Sequence, residues 1–179
     1  NIYNGIKEKD IATAMIMAAR TRIEEEPNYS YVSARLLLDS MQQEACRFLG
    51  VEPPNSFQDM KSLYAELLTE TLSKGVELEL ISPELLNFDL KRIADAMKPE
   101  RDFQFTYLGL QTLYDRYFIH WRETRFELPQ IFFMRVSMGL ALKEENPTDC
   151  AIEFYNLLST FDYMCSTPTL FNAGTNRPQ

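Results

Sequence analysis

Apolar residues recur at intervals of three and four positions along most of this chain, which is the spacing of amphipathic α-helices. The clearest stripe comprises Ala34, Leu37, Leu38, Met41, Ala45 and Phe48. Gly50 follows it, and glycine commonly ends a helix because it adopts the left-handed conformation at little cost. Repeated stripes of this kind predict an all-α domain of about seven helices.

Further segments show the same pattern, and several begin with residues that cap helices. Ser56 stands three residues before Asp59, and Ser82 and Asn146 each precede a proline, which suits the first helical turn. Gly75 is expected to end the third helix. These segments span approximately residues 8–25, 59–75, 82–97, 106–118, 129–142 and 146–161.

The positions of the apolar residues also predict which face each helix buries. In the first helix the expected stripe is Ile11, Ala14, Met15 and Ala18. In the third it is Met60, Leu63, Tyr64, Leu67, Leu68 and Thr71. In the last it is Cys150, Phe154, Leu157, Leu158 and Phe161.

The sixth helix contains Phe132, Phe133, Met134 and Met138, which are interpreted as core rather than as a cofactor-stacking cluster. Arg135 lies among them and needs a partner, so we predict a structural ion pair with Glu127 or Glu144.

Two short segments between the fifth and sixth helices have the character of β-strands. Ile119–Trp121 and Arg125–Glu127 flank the polar residues 122–124, which predicts a small hairpin near residues 117–127. A two-stranded ribbon is marginally stable by itself, so we expect this hairpin to pack on the helices.

Charge and cysteine content argue against several classes of partner. The chain carries 26 acidic and 18 basic residues, for a formal net charge of −8, and its basic residues are dispersed, which disfavours binding to nucleic acid. No apolar run approaches the roughly 20 residues that span a bilayer.

The cysteines, Cys46, Cys150 and Cys165, lack metal-type or disulfide-type spacing, which indicates a reducing compartment and predicts a cytoplasmic protein. With His120 as the only histidine, neither a catalytic dyad nor a nucleophilic Cys165 is expected.

The tail, Cys165–Gln179, departs from the helical pattern. Pro168, Pro178 and Gly174 disfavour a regular helix, and hydroxyl and amide side chains are crowded around them. We therefore expect an extended segment, which is either an ordinary surface loop or a loop that binds a ligand. The residues expected to hold its shape are Asn172, Gly174 and Thr175.

Four strings of sequence, in order along the chain, resemble the catalytic large subunit of ribonucleotide reductase. They are Tyr31–Leu36, Arg101–Leu110 with Thr112 and Leu113, Glu127–Gln130 followed by Phe133–Gly139, and the tail itself. The resemblance covers nearly the whole chain and implies the N-terminal helical region of that subunit, up to the start of its ten-stranded barrel. It divides the chain into a helical domain at residues 1–163 and an extended substrate-loop segment at residues 164–179.

The resemblance implies a ribonucleoside-diphosphate reductase, which reduces ribonucleotides to deoxyribonucleotides by a thiyl radical mechanism. Thr167 matches the position whose hydroxyl and backbone contact the nucleotide substrate, and Ser166 is a second substrate-binding candidate. A hydroxyl both donates and accepts hydrogen bonds, which suits ribose hydroxyls and phosphate oxygens. The cysteines here match none of the family's catalytic cysteines. This chain is therefore implied to supply scaffold and part of the substrate pocket, with no catalytic residue and no metal ligand.

The same resemblance implies partners and cofactors outside this chain. They are the barrel portion of the large subunit, nucleotide effectors, and thioredoxin or glutaredoxin as reductant. The radical is expected from a metal-containing small subunit or, alternatively, from adenosylcobalamin.

Because the sequence does not begin with methionine and ends within the tail, we expect a piece of a longer chain. The alternative interpretation is an acidic helical interaction module without catalysis. The enzyme interpretation predicts a tail ordered by barrel residues, whereas the alternative predicts a mobile one.

Overall fold

The described residues of the computed structural model, 5–53 and 59–177, form an all-α fold, as predicted. Two short 3₁₀ helices, Pro83–Asn87 and Pro99–Gln104, lie between longer helices. The α-helices are α1 (Glu8–Arg20), α2 (Tyr29–Leu49), α3 (Met60–Glu77), α4 (Leu90–Ala96), α5 (Tyr107–Arg116), α6 (Pro129–Ala141), α7 (Pro147–Ser159) and α8 (Thr167–Asn172). The predicted cap at Ser56 and the tail residue Pro178 lie outside the described residues.

The predicted hairpin is present between α5 and α6. Strand β1 (His120–Trp121) pairs in antiparallel register with β2 (Thr124–Arg125), so that His120 faces Arg125 and Trp121 faces Thr124. Arg122 adopts a positive φ of 56° in the turn. The backbone N–H of Arg125 donates to Glu44 of α2 over 3.1 Å, and this contact attaches the small ribbon to the helical body.

Helix α6 lies at the centre of the core. It is apolar around most of its circumference, which is typical of a helix enclosed by other elements. Phe132, Phe133, Met134 and Met138 are fully buried, which confirms their interpretation as core residues. Ring contacts extend this core to the segment before α5, since Phe133 stacks on Phe105 with ring centroids 6.3 Å apart.

The buried faces of α2 and α3 agree with the predicted stripes, that of α7 agrees only at Leu158, and that of α1 does not agree. Gly50 ends α2 with a left-handed φ of 74°, as expected. In α1 the buried residues are Ile16 and Ala19, and in α7 they are Ala151, Tyr155, Leu158 and Ser159. Apolar residues occupy more than one face of both helices, so spacing alone did not identify the buried one. The predicted α7 stripe is partly exposed, with Leu157 at 44% and Phe161 at 43% exposure.

Gly75 does not end α3, which was the expectation; the helix continues to Glu77. The glycine is buried instead, and a Cβ added at this position would lie 2.4 Å from Cδ1 of Ile81. Its role is therefore to admit the Ile81 side chain against the helix surface.

The segment predicted as one helix at residues 82–97 is divided in two. Ser82 caps the first part as predicted, because its hydroxyl accepts a hydrogen bond from the backbone N–H of Glu84 over 3.3 Å. The chain then becomes extended at Phe88. Asp89 starts α4 by accepting a hydrogen bond from the backbone N–H of Arg92 over 3.1 Å. A second capping residue within the segment thus begins a second helix.

The tail contains a short helix, α8, so the prediction of a wholly extended segment is wrong. Pro168 occupies its first turn. Proline is tolerated there because the first backbone N–H groups of a helix have no partner within the helix. Composition alone indicated a loop, whereas the position of the proline permits a helix of six residues.

The tail is attached to the helical body by backbone pairing. Thr175 forms an isolated antiparallel bridge with Ile81. The backbone N–H of Ser82 donates to the carbonyl of Gly174 over 3.0 Å, and that of Asn176 donates to the carbonyl of Leu80 over 3.2 Å. Neither interpretation of the sequence predicted this contact between the tail and the helical domain. The division of the chain at residues 163 and 164 remains a prediction.

Candidate functional site

A cavity of about 720 Å³ lies between the tail and the end of α5. We call it the Thr167 cavity. One wall is formed by residues 116–120, between α5 and β1, and a second by residues 79–80 after α3. The tail supplies the third wall with Thr167, Pro168, Phe171, Asn172, Thr175, Asn176 and Arg177. The cavity thus brings together segments that are separated by about 40 to 90 positions in the sequence.

Thr167, the first substrate-binding candidate, is exposed within this cavity. Its Oγ1 lies 3.2 Å from the phenolic oxygen of Tyr117, and either group is able to donate. A threonine hydroxyl has one proton and two lone pairs, so it retains capacity for a further hydrogen bond after this one. The predicted residue therefore lines a cavity and has a polar atom available to a ligand.

Ser166, the second candidate, is also exposed but does not line the Thr167 cavity. It occupies the residue before α8, with extended backbone angles, and its hydroxyl lies 3.1 Å from Oγ1 of Thr169. The structure therefore does not bring the side chains of Ser166 and Thr167 to the same cavity.

The residues expected to hold the tail's shape do so. The amide of Asn172 donates to the carbonyl of Pro168 over 3.0 Å, and the hydroxyl of Thr175 donates to the carbonyl of Asn172 over 2.8 Å. Gly174 has a left-handed φ of 74°. It also packs closely on α6, where a Cβ added at Gly139 would lie 2.0 Å from the amide nitrogen of Gly174. Two glycines thus permit the close approach of two backbones.

A buried ion pair is hydrogen-bonded to the segment before β1 and to the end of α8, next to the cavity. Nε of Arg135 in α6 donates to Oε1 of Glu127 over 2.5 Å, and both side chains are fully buried. This confirms the predicted structural ion pair and identifies Glu127 as the partner. Arg135 Nη1 also donates to the carbonyl of Ala173 over 2.7 Å, while Oε2 of Glu127 accepts from the backbone N–H of Ile119 over 2.8 Å. The pair therefore fixes the end of α8 and the segment before β1 to the same helix.

Sequence reasoning missed several residues of the cavity. Arg116, His120 and Arg177 line it and give it a basic character, although Glu79 is also part of the wall. Nδ1 of His120 lies 2.9 Å from the carbonyl oxygen of Arg122. Glu79 and Arg177 are far from Arg116 and His120 in sequence, and the four residues follow no motif, so only the fold brings them together.

Cys46 and Cys165 have environments unsuited to nucleophilic chemistry. Burial raises the pKa of Cys46 to about 11, with a smaller effect from the nearby charge of Glu66. Burial likewise raises the pKa of Cys165. A raised pKa keeps a thiol protonated near neutral pH, and the thiolate is the reactive form. Cys165 lies in a separate apolar groove with Leu140 and Leu157, outside the Thr167 cavity.

Residues 5–53 and 59–177 contain no group of three or more histidine, cysteine, aspartate or glutamate side chains that could hold a metal ion. Among these same residues, no helix has the length and apolar character needed to cross a membrane.

Comparison with known proteins gives consistent similarities along the whole chain. Residues 103–178 match the family model for the all-alpha domain of ribonucleotide reductase. The whole chain is 49% identical to the ribonucleoside-diphosphate reductase subunit alpha of Chlamydia muridarum. Over 97% of its length it is 38% identical to the subunit alpha of Helicobacter pylori, and over 99% it is 31% identical to the large subunit of Danio rerio. The chain spans 17% of the length of the first relative and 21% of the other two.

The family match includes residues 116–120 and the tail up to Pro178, and so covers two walls of the Thr167 cavity. A helical interaction module without enzymatic context is not favoured by these similarities. The chain belongs to the ribonucleotide reductase family, and it corresponds to a part of the large subunit that includes the all-alpha domain.

Proposed function

We propose that this chain is the helical scaffold of a ribonucleoside-diphosphate reductase large subunit and contributes one part of its substrate pocket. The complete subunit reduces ribonucleotides to deoxyribonucleotides by a thiyl radical mechanism. The names of the relatives support this activity, and their alignment over nearly the whole chain supports the assignment to the large subunit. The chain spans about a fifth of those relatives, so the catalytic cysteines are proposed to lie in the remainder.

The observation that supports a pocket role is the position of Thr167. Its hydroxyl lies at the surface of the Thr167 cavity and is held by Tyr117, with hydrogen-bonding capacity left for a ligand. Arg116 and Arg177 in the same cavity supply positive charge, which favours a phosphorylated substrate. We propose Thr167 as the principal substrate contact. Ser166 is proposed as a second contact through its backbone, because its hydroxyl is directed to Thr169.

The partners and cofactors of the complete enzyme are proposals from the family relationship. They are the barrel portion of the large subunit, a small subunit that supplies the radical from a metal centre, nucleotide effectors, and thioredoxin or glutaredoxin as reductant. Adenosylcobalamin is the alternative radical source. We propose that the metal centre belongs to the small subunit rather than to this chain. We propose a cytoplasmic location, where ribonucleotides and these reductants occur.

Thr167→Val tests the pocket role in a full-length large subunit that carries this sequence. The replacement keeps the branched shape and removes the hydroxyl. Deoxynucleotide formation is measured with the small subunit, a thiol reductant and varied substrate concentration. Loss of a hydrogen bond to a charged group costs about 1.5–3 kcal/mol, so we expect the KM for substrate to rise by roughly tenfold or more.

Thr69→Val provides the matched control, because Thr69 is an exposed threonine on α3 that does not line the cavity. Its hydroxyl donates to a backbone carbonyl of its own helix, that of Ala65. We expect this variant to retain the wild-type KM. An unchanged KM in Thr167→Val, with substrate titrated to saturation, would reject Thr167 as a substrate contact.

A further inference from the structure

Tyr117 occupies a distinctive position at the junction of α5 and the Thr167 cavity. It is the C-cap residue that directly follows α5, and its backbone N–H donates to the carbonyl of Leu113 over 2.9 Å. Its side chain is half-buried and extends across the cavity wall to the tail. The phenolic oxygen lies 3.2 Å from Oγ1 of Thr167, and these two residues are fifty positions apart in sequence.

The ring of Tyr117 is held between the tail and the core. Its centroid lies 4.9 Å from that of Phe171 in α8 and 6.2 Å from that of Phe132 in α6. Phe132 is fully buried, so the ring rests on a part of the protein that does not rearrange freely. Aromatic contacts of this kind favour one ring orientation and hence one position for the hydroxyl.

The hydrogen bond restricts the hydroxyl of Thr167. A threonine hydroxyl can rotate, and it has one proton to donate. When the phenol of Tyr117 donates to Oγ1, that proton is directed elsewhere, and the cavity is the space that borders the exposed Thr167 side chain. A donor directed into a cavity with Arg116 and Arg177 is suited to a phosphate oxygen of a nucleotide.

We infer that Tyr117 is a positioning residue for substrate binding, which orients the hydroxyl of Thr167 toward a phosphate or ribose oxygen of the ribonucleotide. This inference rests on the proposed role of Thr167. Tyr117 acts through Thr167 and has no separate contact with the reacting atoms in this proposal.

The test is a set of single and double variants of the full-length large subunit, assayed with the small subunit and a thiol reductant. Tyr117→Phe keeps the ring packing and removes only the phenolic oxygen. A neutral hydrogen bond contributes about 0.5–1.5 kcal/mol, so we expect a roughly threefold to tenfold rise in substrate KM with kcat retained. In the Thr167→Val background the same change should add nothing, because the hydroxyl that Tyr117 orients is absent.

Thr167→Ser gives the conservative background. Serine restores the hydroxyl, so Tyr117→Phe should again raise KM in that background. Tyr107→Phe is the matched control for the loss of a tyrosine hydroxyl, because Tyr107 lies on the same helix and donates to Gln111 over 3.1 Å, away from the cavity. It should leave KM unchanged. Equal shifts of the thermal midpoint for Tyr107→Phe and Tyr117→Phe would show that stability does not explain the kinetic difference.

The outcomes separate this inference from the proposed function. A rise in KM for Thr167→Val, together with wild-type KM for Tyr117→Phe or additive effects in the double variant, would overturn the positioning role and leave Thr167 as a substrate contact. A wild-type KM for Thr167→Val would overturn both. Non-additive effects, with recovery of the Tyr117 dependence in Thr167→Ser, would establish the positioning role.

Discussion

Two buried carboxylates, Glu127 and Asp102, are held in opposite ways within the same helical core. Glu127 faces the full positive charge of Arg135, and the two side chains form two hydrogen bonds, of 2.5 and 3.2 Å. Asp102 receives hydrogen bonds from the uncharged side chains of Tyr64 and Gln130, the latter over 2.8 Å. One carboxylate is therefore compensated by a charge and the other by neutral donors.

The difference is expressed in the proton affinity of Asp102. Burial raises the pKa of Asp102 to about 7, and the hydrogen bonds from Tyr64 and Gln130 oppose that rise without cancelling it. Neutral hydrogen-bond donors stabilise an ionised carboxylate less than a neighbouring cation would. Burial therefore affects the pKa of Asp102 more than these two hydrogen bonds do. The comparison shows that hydrogen-bond saturation and charge compensation are separate requirements for a buried acid.

The two sites also differ in what they connect. The Glu127–Arg135 pair fixes the segment before β1 and the end of α8, and so supports the Thr167 cavity. The Asp102 network extends instead to α7, where the hydroxyl of Tyr155 donates to the amide oxygen of Gln130 over 2.7 Å. We therefore expect the first site to affect the cavity as well as stability, and the second to affect stability and its dependence on pH.

The largest effect is expected from Arg135→Met, which removes the charge that compensates Glu127. Removing one partner of a buried pair leaves an uncompensated charge and costs about 3–5 kcal/mol. The free energy of unfolding, measured by chemical denaturation near pH 7, should fall by that amount. The carbonyl of Ala173 also loses its donor, so the tail should become more accessible to limited proteolysis.

Arg92→Met is the control for Arg135→Met. Arg92 pairs with Asp149 between side chains that are 55% and 60% exposed, and exposed pairs contribute about 0–1 kcal/mol. Similar losses of stability in the two variants would mean that burial of the Glu127–Arg135 pair is not the source of the effect.

Asp102→Asn should produce the next largest effect, seen as a change in pH dependence. Because the pKa of Asp102 is raised in the folded state, this carboxyl stays protonated between about pH 4 and pH 7 while it ionises in the unfolded chain. Stability from this group therefore falls as pH rises through that window and is constant above it. From pH 5 to pH 8, we expect wild-type stability to fall by about 2–3 kcal/mol relative to the variant.

Denaturation curves at several pH values check this prediction, and Asp149→Asn serves as the exposed control. Parallel pH profiles for the wild type and Asp102→Asn would show that Asp102 is ionised throughout the range. Compensation by neutral donors instead of a cation would then not leave Asp102 protonated in the folded state.

Neither buried carboxylate network was wholly visible in the sequence, and the reasons differ. Arg135 lies within an apolar helical stripe, which is a local signal that a partner is required, and Glu127 is close enough in sequence to be a candidate. Asp102 gives no such signal, because its partners come from α3 and α6 and its burial depends on the assembled fold. Most of the helices, the caps at Gly50 and Ser82, and the hairpin were predictable because the information that specifies them is local. Asn146 precedes α7 but makes no side-chain capping bond, so that predicted cap was wrong.

The Thr167 cavity likewise depends on contacts between distant residues, which local sequence patterns do not predict. The resemblance to a known family indicated Thr167, but the contact with Tyr117 joins residues that no local pattern connects. Helix α8 was missed because the composition of the tail was considered without the position of Pro168. The predicted buried faces of α1 and, apart from Leu158, of α7 were wrong because both helices have a second apolar face, and only tertiary packing selects between the two.

The smallest effect is expected from Tyr155→Phe, which removes one outer member of the Asp102 network. The variant leaves the amide oxygen of Gln130 without its donor, and the cost should be about 1–2 kcal/mol. Tyr163→Phe, with a side chain that is 61% exposed, is the control and should change stability by less than about 0.5 kcal/mol.

The hydrogen bond from Tyr155 orients the Gln130 amide so that its NH₂ group donates to Asp102. Without it the amide is free to rotate, the ionised form of Asp102 loses a donor, and the pKa of Asp102 rises further. The pH-dependent loss of stability should therefore extend to higher pH in Tyr155→Phe than in the wild type, and a shift to lower pH would contradict the assigned orientation of Gln130.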